Sequence, residues 1–136
     1  MADIYDRAKR SQIMSAIKGR GNLSTEERLR KLLVKNGISG WRRHLHSLPG
    51  KPDFTFPKQR VCIFVHGCFW HGCPHCYKPP KTNKRFWREK IAYNKKKDRR
   101  DARQLRERGY SVLTVWECKL RNEDAIARRI KRFVSL

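Results

Sequence analysis

Residues 66–77, HGCFWHGCPHCY, hold three cysteines, three histidines and an adjacent Phe-Trp pair in twelve positions. Cys68, Cys73 and Cys76 are spaced C-x4-C-x2-C, and Cys118 adds a fourth thiol at the end of an apolar run. Zinc takes four such soft ligands in a tetrahedron, usually a tight pair completed from elsewhere in the chain. His71 and His75 are spare ligands, so Cys2His2 and Cys3His sets stay open. The competing chemistry is redox, because Cys73-Pro74-His75-Cys76 reads as a dithiol. A reactive dithiol sets its first cysteine at a helix N-terminus. Pro79 and Pro80 cut that helix off. Cys62 lies inside an apolar run and reads as a small core residue.

Hydrolytic chemistry has its own candidates. Pro52-Asp53-Phe54 sets an acid at the mouth of a strand, one hairpin away from VCIFVH. Nucleases hold Mg2+ on such a carboxylate, and the cation offsets charge that develops on the attacked phosphate. The usual signature continues with an acid, one residue and a lysine on the second strand. Here Val65 and His66 stand there instead. His66 and His71 are able to take over, since a neutral imidazole near pH 7 accepts a proton from water.

The chain carries 34 Lys and Arg against 12 Asp and Glu, a net charge of +22 over 136 residues. A folded domain so basic repels itself, and a polyanion is its natural partner. Nucleic acid leads, with an anionic membrane second. No apolar run nears the roughly 20 residues of a membrane span. The opening residues, MADIYDRAKRSQ, lack the apolar core of a signal peptide. A cytoplasmic protein is expected, with its thiols reduced or bound to metal. The length suits one domain over residues 1–136, with 1–20 as an N-terminal arm that contacts DNA.

Periodicity supplies the elements that must position these groups. Residues 11–18 read as a short helix with Ile13, Met14 and Ile17 apolar. Ser24 and Glu27 match a capping box ahead of a helix whose stripe is Leu29, Leu32 and Leu33 and whose stop is Gly37. Trp41–His44 reads as an edge strand and DFTF as the next. Val61–Val65 is apolar throughout, as in a strand covered on both faces. Thr82 or Asn83 caps a long helix that ends at Gly109. Residues 81–108 hold thirteen Lys or Arg and four acids, so most of that helix meets water or phosphate. Residues 110–116 form another buried strand, and Asn122 opens a last helix with Ile126, Ile130 and Phe133 inward. The order α-α-β-β-β-α-β-α predicts an α/β fold, a mixed central sheet flanked by helices. It is compatible with a restriction-endonuclease-like core.

HSLPGKPDF, VCIFVHGCFWHGC, FWREKI, KKDRRD and VLTVWEC, in that order, resemble the very-short-patch repair (Vsr) endonucleases from residue 1 to about residue 120. HGCFWH together with WEC is the most specific part. The resemblance implies a restriction-endonuclease-like fold with a structural zinc loop. It also implies Mg2+-dependent nicking of DNA 5′ to the thymine of a T:G mismatch. By that likeness Asp53 is the metal-binding aspartate, His71 the general base and Asp98 its supporting acid. Glu26 and His66 match further active-site residues. Val65 stands where the family has threonine, so its role survives through the backbone carbonyl on Mg2+. Phe69, Trp70 and Trp87 match intercalating aromatics, and Met14 is a wedge from the other groove. Stacking rings lowers the cost of unstacking bases at a mismatch. A Phe-Trp pair is ordinarily core, but beside Gly67 and His71 it is expected to be exposed.

Cys68, Cys73, Cys76 and Cys118 match the zinc positions, with Cys73 in place of a histidine and one residue inserted before Cys76. That change bears on substrate choice. Arg99, Arg100 and Arg103 are assigned to phosphates rather than bases. The expectation is thus a monomeric mismatch-nicking enzyme that uses Mg2+ and Zn2+ on double-stranded DNA. Two alternatives stand beside it. One is a broader mismatch-nicking or double-strand-cutting endonuclease. The other is a non-catalytic, zinc-stapled nucleic-acid-binding protein.

Overall fold

The apolar runs pair at the centre of the molecule. The structure is a computed structural model that describes residues 25–134. The expected helix over 11–18, its Met14, the N-terminal arm and the Ser24 cap lie outside the described residues. Helix α1 is described over 25–35. Strands β1 (Arg42–Arg43), β2 (Phe54–Phe56) and β3 (Val61–His66) follow. Then come helix α2 (Lys84–Glu107), strand β4 (Ser111–Trp116), a 3-10 turn (Glu117–Arg121) and helix α3 (Glu123–Val134).

The sheet runs in the order β1-β2-β3-β4. β1, β2 and β3 are mutually antiparallel neighbours, whereas β4 lies parallel to β3 with Val65 opposite Val115. A parallel pair needs a long crossover, and the Cys/His stretch plus α2 supply it. The sheet is therefore mixed, as its sequence order suggests.

Strand alternation divides the two faces. Val61, Ile63, Val65, Leu113 and Val115 pack with Leu29, Leu32 and Leu33 of α1 and with Ile126 and Ile130 of α3. Cys62, Phe64, His66 and Trp116 point the other way, toward α2. Only Phe64 within β3 is less than fully buried, because there the cover is an open groove rather than a helix packed flush.

Four local expectations change. Phe133 is 41% exposed, and Val134 takes the inward place four residues after Ile130. Asn83 precedes α2, but in a left-handed conformation (φ 54°) and without a side-chain cap bond. Its backbone carbonyl instead takes the Trp87 N–H at 3.1 Å. Glu27 binds the Arg30 guanidinium (Nε–Oε1 2.6 Å), so its carboxylate serves a pair within the helix. The predicted edge strand shrinks to two residues at Arg42–Arg43, since His44 turns to φ 54° and leaves the extended region. Asn122 does cap α3, its Oδ1 accepting the Ala125 N–H at 3.2 Å.

Candidate active site

Asp53 sits at the entrance to β2, beside the middle of β3. Its Oδ2 accepts the Val65 N–H at 2.7 Å, so the hairpin fixes the carboxylate against the strand that bears His66. Burial raises the Asp53 pKa to about 6; the Val65 N–H opposes the rise, and the Glu26 charge adds to it. Glu26 is itself buried on α1, with 4% of its surface exposed. Two carboxylates thus face one site in a partly desolvated setting. That is the electrostatic condition a divalent cation relieves.

His66 and His71 lie across the same site with rings stacked, centroids 3.8 Å apart and planes within 6°. Burial, helped by the neighbouring His71, lowers the His66 pKa to about 3, so this ring stays neutral in the folded protein. Trp116 meets it edge-on at 5.3 Å. The Nδ1 of His66 is buried with no hydrogen-bond partner. His71 Nδ1 is 2.7 Å from Asp98 Oδ2, a contact that joins the cysteine-rich loop to the middle of α2. A proton on Nδ1 shared with Asp98 leaves the Nε2 lone pair available.

Gly72 explains how the loop approaches α2 so closely. It has φ +61°, and a Cβ there would lie 2.7 Å from Ile91 Cγ2. The Asn94 side chain adds a hydrogen bond to the Trp70 carbonyl at 2.8 Å. Asp53, His66, His71 and Asp98 all open onto one groove of about 880 Å³ between α2 and the sheet. Lys95, Lys97 and Arg99 line it as well, and Arg100 and Arg103 are exposed further along the helix.

The four predicted zinc cysteines converge. One sulfur from each of Cys68, Cys73, Cys76 and Cys118 falls within 4.8 Å of the others. Backbone N–H groups of His75 and Cys118 point at the sulfurs of Cys73 and Cys68, each at 3.4 Å. Burial works against it, yet the His75 and Cys76 N–H groups hold the Cys73 thiol below its ordinary value. Burial pushes Cys68 up. One favoured thiolate among four crowded sulfurs suits a soft metal cation. The redox reading fails on this geometry, because residues 73–80 contain no helix to activate a cysteine. Cys62 is fully buried, as a core residue should be.

The aromatics form a cluster at the rim. Phe69 lies 5.0 Å from Trp87 and 5.6 Å from Trp70, and Trp70 lies 5.8 Å from Trp87. The expected exposure holds for only part of it. Phe69 and Trp87 are half-buried, whereas Trp70 is only 6% exposed beneath them. Its large ring gains more from packing than from water.

Two residues that sequence reasoning passed over also act here. Glu117 accepts the Thr25 hydroxyl at 3.3 Å and lies 3.4 Å from the Cys68 N–H, so it ties α1 to the cysteine loop. His44 brings its Nε2 to 2.6 Å from Glu26 Oε1. The WEC segment pointed at Glu117 only as a flank to Cys118.

A model of the family described as DNA mismatch endonuclease Vsr matches residues 2–78. The chain belongs to the Vsr family. The DNA mismatch endonuclease Vsr of Escherichia coli K12 is 45% identical over 98% of this chain and 88% of its own length. The type II nicking enzyme V.NmeAIP of Neisseria meningitidis is 37% identical, covering 98% and 95%. V.XorIIP of Xanthomonas oryzae is 35% identical, covering 98% of both chains. As a Vsr member this chain is a DNA endonuclease. None of the helices described is long and apolar enough to cross a membrane.

Proposed function

We propose that this endonuclease nicks one DNA strand 5′ to the thymine of a T:G mismatch, with Mg2+ at Asp53 and the Val65 carbonyl and Zn2+ in the cysteine cluster. The observation that carries the reading is the groove itself. It joins a buried acidic site, a His-Asp pair and a lysine- and arginine-rich wall, with aromatic rings at its rim. A mixed sheet with the acid entering the strand next to the parallel pair fits a restriction-endonuclease-like core.

In this reading Lys95, Lys97, Arg99, Arg100 and Arg103 hold the phosphates and set the register of the duplex. Phe69 and Trp87 stack at the mismatch, and Trp70 supports them from below. Met14 would enter from the other groove. Asp53 and the Val65 carbonyl hold the cation, which when bound polarises the scissile phosphate and neutralises developing charge. His71 Nε2 takes the proton of the attacking water, while Asp98 keeps the Nδ1 proton in place and stabilises the imidazolium that forms. His66, held neutral, packs against His71 and fixes its plane. Glu26 completes the acidic side. Cys68, Cys73, Cys76 and Cys118 bind zinc and so hold the loop that carries Phe69 and His71. The chain acts as a cytoplasmic monomer of one domain, 1–136, with residues 1–20 as an arm on the DNA.

The test uses end-labelled duplexes, matched or with a single T:G pair, each strand labelled in turn. Mg2+-dependent nicking of the thymine strand that is lost in Asp53→Ala supports the proposal. Cleavage of many mismatches would retract the T:G preference but keep the enzyme. Tight binding with no cleavage in Mg2+ would sink the catalytic reading in favour of a binding protein.

A further inference from the structure

His44 follows the two-residue strand β1 with φ 54°, a left-handed conformation that costs a non-glycine residue of order 1 kcal/mol or more. Its N–H reaches the Asp53 carbonyl at 3.4 Å. The turn drives the imidazole inward, where Nε2 comes to 2.6 Å from Glu26 Oε1. No hydrogen is aligned between them, and Glu26 Oε1 is buried without a hydrogen-bond partner. A nitrogen and a carboxylate oxygen so close repel unless a cation or a shared proton lies between them.

Asp53 completes the set. One ligand atom from each of Glu26, His44 and Asp53 lies within 4.8 Å of the other two. The Oδ2 of Asp53 is engaged by the Val65 N–H, and its second oxygen is left to face the cluster. Arg43 also touches Glu26 Oε1, at 3.1 Å, and lies 3.9 Å from Glu27. One guanidinium between two glutamates leaves the Asp53 charge uncompensated. It also gives no reason for the approach of His44.

We infer that Glu26, His44 and Asp53 form a second divalent-cation site, beside the Asp53–Val65 pair, with one imidazole and two carboxylate ligands. An imidazole ligand suits a transition metal, whereas Mg2+ keeps to oxygen and to its water shell. The site therefore takes Mn2+ in preference to Mg2+. Sharing Asp53 would set the two cations at the roughly 3.5–4 Å spacing of two-metal phosphodiester centres. The inference deepens the proposed function and rests on Asp53 being a metal carboxylate.

The probe is Mn2+ added to the full chain without DNA, read by pulsed electron paramagnetic resonance. The expected spectrum shows a directly bound nitrogen that changes when the protein is grown on 15N-histidine. His44→Gln should abolish that coupling and weaken Mn2+ binding at least about tenfold, a loss that even outer-shell partners of metal ligands produce. Mg2+ affinity should change less. Wild-type protein without a nitrogen coupling overturns the site. So does a coupling that survives His44→Gln and disappears in His71→Ala, which would put Mn2+ on the His66–His71–Asp98 side. If His44→Gln does not fold, the wild-type isotope spectrum together with Glu26→Gln decides: unchanged Mn2+ affinity in that variant also overturns the site. The two ideas fail separately. Persistent nicking by Asp53→Ala defeats the proposed function, whereas an unchanged Mn2+ spectrum in His44→Gln defeats only this site.

Discussion

Replacing Asp53 by asparagine should make the protein more stable while it removes the proposed cation carboxylate. The Asp53 pKa rises from an ordinary 3.8 to about 6, first because burial penalises its charge. The folded protein therefore holds this proton more tightly than the unfolded chain does. Below about 3.8 both states are protonated and nothing is lost; between 3.8 and about 6 a penalty grows; above about 6 it is complete. At 1.36 kcal/mol per pH unit the full penalty is about 2 to 3 kcal/mol. The asparagine amide oxygen retains the acceptor for the Val65 N–H, so the bond at 2.7 Å need not be lost. Urea unfolding in Mg2+-free buffer should show the Asp53→Asn variant more stable by about 2 to 3 kcal/mol at pH 8, and by only about 1 kcal/mol at pH 4.5. Added Mg2+ should then stabilise the wild type and leave the variant unmoved, narrowing the gap by mass action. Equal stability at pH 8, or a gain independent of pH, would refute the reasoning. The charge would then already be compensated within the protein, with Arg43 the nearest cation on that side.

Cys118→Ser should reduce bound zinc from about one equivalent, read by metal analysis, and lower the melting temperature; a zinc-free, folded wild type would refute the site. His71→Ala should slow Mg2+-dependent nicking by about 10²–10⁴-fold, the usual worth of a general base. Duplex affinity should stay within a few-fold; equal losses in binding and cleavage would deny it that role. Trp87→Ala should reduce discrimination between mismatched and matched duplexes more than it reduces binding to the matched one. Trp70→Ala, by contrast, should destabilise the fold by about 3–5 kcal/mol because it empties a buried site, and a variant as stable as wild type would show that Trp70 is no support.

Much of the framework is local and therefore legible. Val61–Val65 and residues 110–116 announce buried strands by composition, and Leu29, Leu32 and Leu33 mark a helical stripe whose partners are then inevitable. The four cysteines meet as their spacing and the strand end at Cys118 suggest. What stays hidden depends on contacts distant in the chain. Glu117 bonds to Thr25 across 92 positions, and no period or motif carries that information. Phe133 and Val134 differ only in helical phase, so an inward reading of one is an error of a single residue.

The rim aromatics show the same limit in functional terms. FW beside glycine looks like a surface wedge, yet Trp70 lies under Phe69 and Trp87 because two further rings, set on α2, arrive to cover it. A wedge built this way has a stiff base. Phe69 can leave its neighbours for a base step while Trp70 stays packed, held through its carbonyl by Asn94. The same loop carries His71, whose Nδ1 is fixed by Asp98 on the same helix that supplies Trp87. Insertion at the mismatch and alignment of the base are then motions of one body, the cysteine loop on α2. Loss of the metal from that loop should therefore impair mismatch discrimination and nicking together, and a zinc-depleted protein that lost only one of them would show that wedge and base are positioned independently.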